Sequence, residues 1–146
     1  MKIAAIARAS CGFALLLVVG TAAAQGPGDG KPQIESQVLA RSSDSWDGSG
    51  LPNYPRAKPE ISILRIRIPP GVALPMHKHP VINAGVLLSG QLTVVSEEGK
   101  TLELNAGEAI IELVDKWHYG RNDGDTTAEI VVFYAGIGGL PVTERK

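Results

Sequence analysis

The stretch Gly71-Val-Ala-Leu-Pro-Met-His77-Lys-His79-Pro-Val-Ile-Asn83 places two of the three histidines of this 146-residue chain one residue apart. An asparagine follows four residues later. Residues two apart on an extended strand face the same side of a sheet. The alternation therefore predicts that His77, His79 and Asn83 point together into the protein, while Lys78 points outward.

The remaining histidine is His118, which lies far along the chain from the first pair. Two imidazoles from one strand form half of a metal site, and His118 alone can complete it. A single His-x-His pair is more often a surface or core coincidence than a ligand set. Because all three histidines fall into one plausible constellation, we expect them to converge on a metal ion.

From Glu60 onward the chain is a series of short runs of β-type residues separated by turn residues such as Ser89-Gly90 and Asn105-Ala106-Gly107. Many short strands at close spacing predict an antiparallel sandwich or a small barrel. No run has the periodicity of a helix. The predicted strands are 61–68, 84–88, 92–96, 101–104, 109–114 and 129–135.

The spacing of the histidines resembles the first sequence motif of the cupins. That motif is Gly, five residues, His-x-His, three or four residues, Glu, six residues, Gly. Its positions are occupied here by Gly71, His77, His79, Asn83 and Gly90, with Asn83 in the place of the glutamate.

The second cupin motif runs Gly, five residues, Pro-x-Gly, two residues, His, three residues, Asn. Gly107, His118 and Asn122 match it in register, whereas Leu113 and Asp115 stand where proline and glycine would be. The resemblance covers about residues 60–136. It implies an all-β fold, the double-stranded β-helix or jelly-roll barrel, with a divalent metal held by three histidines and often one glutamate.

By position, the resemblance assigns the ligands to His77, His79 and His118, with Asn83 at the fourth place. Three neutral imidazoles suit one divalent transition metal, namely Fe, Zn, Mn, Ni or Cu, whose identity stays open. Asn83 would leave the full charge of the metal and offer only a weak carbonyl oxygen or a hydrogen bond to bound water. The alternative is that Asn83 only caps a strand, without a role at the metal.

Other residues near the motifs are candidates of lower weight. Glu112 and Asp115 precede His118 and could act as a general base, although carboxylates on barrel strands more often face water. Asn122 is expected to secure a turn. Phe133 and Tyr134 end a strand and are interpreted as core residues.

The first 24 residues resemble a secretory signal peptide: Lys2 and Arg8 precede an apolar centre, and Ala22-Ala23-Ala24 gives a cleavage site. A retained membrane anchor is the rival interpretation, but the apolar run is short of the roughly 20 residues that span a bilayer. We expect a signal peptide at 1–24, a leader and loop segment at 25–59, the barrel at 60–136 and a C-terminal tail at 137–146. The expected location is periplasmic or secreted.

Without Lys2 and Arg8, the 14 basic residues become 12 against 15 acidic ones, a net charge of −3. This balance predicts no nucleic-acid partner and, after signal cleavage, no membrane partner. Cupins that pair through an apolar N-terminal strand suggest a homodimer formed near Val38-Leu39.

Two main classes of function stay open. The first is a metal-dependent enzyme, by analogy with three-histidine cupins a dioxygenase-like protein, whose substrate is a small molecule that chelates the metal through oxygen. The second is an exported metal- or ligand-binding module without turnover. A smaller third possibility is an isomerase or lyase that uses the metal as a Lewis acid. Whether the chain is an enzyme, and which residues would be catalytic, is left open, because one fold supports many chemistries.

Overall fold

The computed structural model describes residues 32–146. The predicted signal peptide at 1–24 and residues 25–31 of the predicted leader and loop segment lie outside the described residues. Within the part of the chain that is described, no helix is long and apolar enough to cross a membrane. The regular elements of that part are nine strands: β1 (Pro59–Ile68), β2 (His77–Lys78), β3 (Ile82–Ser89), β4 (Gln91–Ser96), β5 (Thr101–Asn105), β6 (Ala109–Ile111), β7 (His118–Arg121), β8 (Ala128–Ile137) and β9 (Glu144–Arg145).

The strands form two antiparallel sheets. One has four strands in the order β1-β8-β3-β6, and the other has five in the order β5-β4-β7-β2-β9. Buried apolar residues of both sheets, among them Leu87, Ile130 and Val132 on one side and Leu92 and Val94 on the other, form a single hydrophobic cluster. The two sheets therefore pack face to face, and the predicted all-β jelly roll is confirmed.

Strand β8 shows how the alternation of side chains builds this core. Ile130, Val132 and Tyr134 are at most 3% exposed, whereas Phe133 between them is 50% exposed. Neighbouring residues on a strand face opposite sides of the sheet, so Phe133 and Tyr134 cannot both enter the core. The core assignment is thus correct for Tyr134 and wrong for Phe133, which lies on the outer face.

The six predicted strands correspond to β1, β3, β4, β5, β6 and β8, with small differences at their ends. Strand β6 stops at Ile111, earlier than predicted. The short strands β2, β7 and β9 were not predicted, because two to four residues carry too little periodicity. Val38 and Leu39, expected to lie on a strand, belong to no strand and are 62% and 51% exposed.

The prediction that residues 77–83 form one continuous extended strand is wrong. The chain bends at Pro80 and Val81, and β3 then begins at Ile82 in the other sheet. His77 and Asn83 therefore belong to different sheets, and their relation has to be taken from the tertiary structure.

Two turn positions explain parts of the motifs. Gly90 has φ +73°, and a Cβ atom there would lie 2.7 Å from the carbonyl oxygen of Thr127, so a side chain would force the backbone to move. Asp115 is the one non-glycine residue with positive φ in the described chain, at 55°. Aspartate tolerates this left-handed conformation better than most residues, which explains how it occupies a position where the motif has glycine.

Candidate metal centre

The three histidines converge at one end of the barrel. His77 on β2 and His118 on β7 are direct cross-strand partners, and His79 follows β2 and forms a bridge with Val114. One ring nitrogen of each histidine lies within 4.8 Å of the others. The ring centroids are 4.6 to 5.0 Å apart. The predicted clustering of the three imidazoles is confirmed: His77 lies on β2, His79 directly follows it, and His118 lies on the distant strand β7.

The protein backbone orients each imidazole. A carbonyl oxygen can only accept a hydrogen bond, so a ring nitrogen that contacts one must carry the proton. Each Nδ1–H therefore donates to a backbone carbonyl: His77 to Pro75 O at 2.7 Å, His79 to Val142 O at 2.8 Å, and His118 to Lys116 O at 2.9 Å. This leaves the Nε2 atom of each ring with a lone pair, as metal-ligating histidines require.

The electrostatics of the cluster keep the rings neutral. Burial lowers the pKa of His77, the pKa of His79 to about 3 and the pKa of His118 to about 4. The Nε2 atom of His118 is buried and has no hydrogen-bond partner in the described structure. Neutral imidazoles with free lone pairs are the chemical form that binds a metal, so the donor set fits a divalent transition metal.

Glu112 lies beside the histidines, and the expectation that it faces water is wrong. The residue is 7% exposed, and its Oε2 atom lies 3.6 Å from Nε2 of His118. Within residues 32–146, Oε2 accepts no hydrogen bond. Burial raises the pKa of Glu112 to about 7. Asp115 does face water, with a side chain that is 64% exposed and pairs with Lys78 at 3.4 Å.

The burial of Glu112 could have been predicted from the alternation of residues along the predicted strand 109–114. Ile110 is fully buried on β6, and residue 112 would share its face if the strand continued. The uncancelled metal charge that Asn83 suggested does not follow, because a carboxyl group stands next to the site.

Asn83 is 1% exposed. Its Nδ2 atom donates to the carbonyl oxygen of Val81 at 3.1 Å, while Oδ1 is buried without a partner in the described structure. The local hydrogen bond suits the capping interpretation, and the free oxygen suits a polar role. Ligation of a metal by Asn83 stays a prediction.

Asn122 secures its turn, as predicted. Its side chain donates to the carbonyl oxygens of Ile68 and Thr126 and accepts from the backbone N–H of Gly124, at 2.7 to 3.0 Å. These three contacts tie the end of β1 to the loop after β7. They hold the turn that follows the strand of His118.

The histidines open into a cavity of about 340 Å³ between the sheets. Its walls are mostly apolar, with side chains such as Leu64, Ile66 and Val94, and Glu112 is the one carboxyl group that the described lining contains. Tyr134 also lines it, with its ring centroid 5.4 Å from that of His79. Burial raises the pKa of Tyr134 to about 12, so the phenol is neutral at physiological pH.

The C-terminal segment completes the rim of the cavity. Strand β9 pairs with β2 so that Arg145 is the cross-strand partner of His77. Directly opposed residues of an antiparallel pair project to the same face, and both Arg145 and Thr143 line the cavity. This pairing was not predicted, because 137–146 was expected to be a tail.

A jelly-roll barrel with three convergent histidines in its cavity is the arrangement that the resemblance to cupins implied. Residues 64–134 match the family model described as "Cupin domain". The chain therefore contains a small cupin domain. A search of curated proteins finds no match.

Solved structures with the same fold include enzymes of several kinds. The DMSP lyase DddQ from Ruegeria pomeroyi DSS-3 is 19% identical, with a TM-score of 0.52, over 59% of this chain and 43% of its own. An oxalate oxidase in complex with the substrate analogue glycolate is 26% identical, with a TM-score of 0.50, over 58% and 45%. The polyketide cyclase RemF from Streptomyces resistomycificus is 21% identical, with a TM-score of 0.50, over 58% and 59%. The alignments thus span less than two thirds of each of these proteins.

Proposed function

We propose that this protein is an exported cupin with a mononuclear three-histidine site for a divalent metal, which acts on a small oxygen-chelating molecule in an oxygenase-like reaction. The observation that carries the proposal is the orientation of the imidazoles. Three Nδ1–H groups are held by backbone carbonyls, and one ring nitrogen of each histidine lies within 4.8 Å of the other two. Export, to the periplasm or the medium, is supported by the signal-like pattern of residues 1–24.

His77, His79 and His118 would hold the metal. When bound, it would supply Lewis acidity, and in the case of iron, manganese or copper also redox chemistry. The apolar walls of the cavity exclude water from the substrate, which strengthens electrostatic interactions at the site. Tyr134 offers a neutral hydroxyl group beside His79, able to donate a hydrogen bond to a substrate oxygen.

The composition of the cavity defines the class of ligand. Most of the lining is apolar, whereas the histidines and Arg145 are polar. Arg145 forms no ion pair within the described chain, and its charge helps to lower the pKa of His77 after the larger effect of burial. A cation at the rim of the cavity without an ion-pair partner attracts an anionic group of a ligand. We therefore propose a ligand with an apolar body and a carboxylate or enolate oxygen.

A binding module without turnover is the alternative, and a Lewis-acid isomerase or lyase is a further one. The binding module is favoured by the scarcity of acid–base groups, since Glu112 is the one carboxyl group in the described lining of the cavity. Turnover separates these possibilities, because a binding module consumes neither oxygen nor ligand.

The experiment begins with metal analysis of protein purified from its native compartment. The protein loaded with that metal is then mixed with mandelate, and binding, oxygen uptake and ligand loss are measured. We expect one equivalent of metal and oxygen-dependent loss of ligand. Metal-loaded protein that binds the ligand without consuming it would favour the binding module, and loss of ligand without oxygen uptake would favour the isomerase or lyase.

We also propose that the protein is a homodimer. The outer face of the four-stranded sheet exposes Ile61, Ile63 and Phe133, and the register pairs Ile63 with Phe133. Adjacent exposed apolar side chains of this kind are typical of protein–protein contacts. Light scattering at micromolar concentration should give the mass of two chains, and Phe133→Lys should shift it toward one. A monomeric mass for the unmodified protein would contradict the proposal.

A further inference from the structure

A pair of buried acceptor atoms marks a place for a cation beside the histidines. Oε2 of Glu112 and Nε2 of His118 lie 3.6 Å apart, and neither has a hydrogen-bond partner in the described structure. At this distance the two atoms form no hydrogen bond with each other. The proton of the His118 ring is on Nδ1, which donates to Lys116 O. When the carboxyl group is ionised, two lone pairs thus face each other in a buried site, which is unfavourable unless a cation lies between them.

The separation suits two ligands of one ion. Transition metals are bound by imidazole nitrogen and carboxylate oxygen at about 2.0 to 2.2 Å, so adjacent ligand atoms lie roughly 3 to 3.6 Å apart. The side chain of Glu112 also lines the cavity into which the histidines open.

The position of Glu112 relative to Asn83 explains the substitution in the first motif. Asn83 lies on β3, and its carbonyl oxygen accepts a hydrogen bond from the backbone N–H of Glu112 at 3.1 Å. The next pair in this register is Ala84 with Ile111. Residues 83 and 112 are therefore cross-strand neighbours, both buried, and their side chains share the inner face.

We propose that Glu112 is the fourth protein ligand of the metal, and that it supplies, from directly after the end of β6, the carboxylate that Asn83 lacks. The site is then three histidines and one glutamate rather than three histidines and an amide. This inference rests on the metal-dependent function proposed above. Asn83 then supports the site through its backbone contact with Glu112.

The test is an exchange of the two side chains. Zn(II) affinity is measured by competition with a chromophoric chelator for the unmodified protein, Glu112→Gln, Asn83→Glu/Glu112→Gln and Asp115→Asn. Asp115 is the matched control, because it is a carboxylate even closer to His118 in sequence that faces water. We expect Glu112→Gln to weaken Zn(II) binding by roughly 100-fold or more, the double variant to recover most of that loss, and Asp115→Asn to bind within about 2-fold of the unmodified protein.

The thermal stability of the metal-free proteins gives a second readout. Removal of a buried carboxyl group should raise the melting temperature of metal-free Glu112→Gln, because an amide is less costly to bury than a carboxylate. Replacement of a metal ligand is therefore expected to lower the affinity for metal and to raise the stability of the metal-free protein. A purely structural residue would lower stability when it is replaced.

The outcomes separate this inference from the proposed function. Unchanged Zn(II) affinity in Glu112→Gln, with the unmodified protein fully loaded, would overturn the role of Glu112 and leave the three-histidine site intact. Failure of the double variant to recover affinity would overturn the exchange between residues 83 and 112. If Glu112→Gln does not fold, the double variant still carries the test, since it keeps one carboxylate at the site. Absence of metal binding by the unmodified protein would overturn the proposed function itself.

Discussion

Removal of residues 142–146 tests how far the C-terminal segment holds the metal centre. This segment supplies the carbonyl oxygen of Val142 that accepts the hydrogen bond from His79 Nδ1 at 2.8 Å. It also supplies the N–H of Lys146 that donates to Met76 O at 3.1 Å, and the side chain of Val142 packs on the core. Each hydrogen bond contributes about 1 kcal/mol and the apolar contact about as much. We therefore expect the metal-free protein to lose about 3 kcal/mol of stability, or roughly 10 °C in melting temperature.

The same deletion should weaken Zn(II) binding by roughly 10- to 100-fold, because His79 loses the partner that orients its ring. Loss of Arg145 would act in the opposite direction, since it removes a positive charge near the metal. Differential scanning calorimetry and a chelator competition titration measure the two effects. The control is Glu144→Gln with Lys146→Gln, which removes exposed side-chain contacts and keeps the backbone, and should change stability by less than about 1 kcal/mol. Zn(II) affinity in the shortened protein that is no lower than in Arg145→Gln would refute this account of His79.

Three further predictions concern the histidines and the turn before His118. Alanine in place of any of the three site histidines should abolish stoichiometric Zn(II) binding by elemental analysis, whereas Lys78→Ala should retain it, because Lys78 pairs with exposed carboxylates. Urea unfolding of the metal-free protein should show that its stability falls as the pH drops from about 6.5 toward 4, because burial lowers the pKa values of His79 and His118 and the unfolded chain therefore binds protons first. The raised pKa of Glu112 opposes this loss of stability in part between about pH 7 and 4.5. A stability that does not change with pH over this range would contradict the prediction. The free energy of unfolding of Asp115→Gly should lie within about 1 kcal/mol of that of the unmodified protein, whereas that of Asp115→Val should be about 2 kcal/mol lower, because a β-branched residue resists the positive φ. Equal stability of the two variants would argue against strain at this turn.

The predictability of the fold follows from the range of the interactions involved. Strands such as β1 and β8 are ten residues long, and alternation over that length determines which side chains face inward. The turns were also predictable from the sequence, because positions such as Gly90 have a backbone conformation and a close backbone contact that only glycine tolerates well. Strands β2 and β9 have two residues each, so their existence depends on partners distant in the chain rather than on local pattern.

In the metal centre, too, the features with a local sequence pattern were predicted and those that depend on distant residues were not. The histidines were found because cupin spacing is a local pattern in the sequence and the chain has few histidines to consider. The carbonyl groups that orient them were not predicted, because Val142 lies 63 residues from His79 and every residue has a backbone carbonyl, whatever its type. Arg145 was missed for the same reason.

Glu112 shows why a motif read along one strand can misjudge the chemistry of a site. A metal responds to the charge and position of an oxygen atom, and two cross-strand neighbours can deliver a carboxylate to the same region from either strand. Asparagine at residue 83 therefore says little about the charge at the metal until its neighbour is known, and that neighbour is a glutamate whose backbone N–H donates to the Asn83 carbonyl oxygen. A buried carboxylate whose Oε2 atom has no hydrogen-bond partner in the described structure destabilises the metal-free protein, and a bound cation removes that cost. Metal affinity and metal-free stability should consequently change in opposite directions whenever the carboxylate at this position is removed or restored.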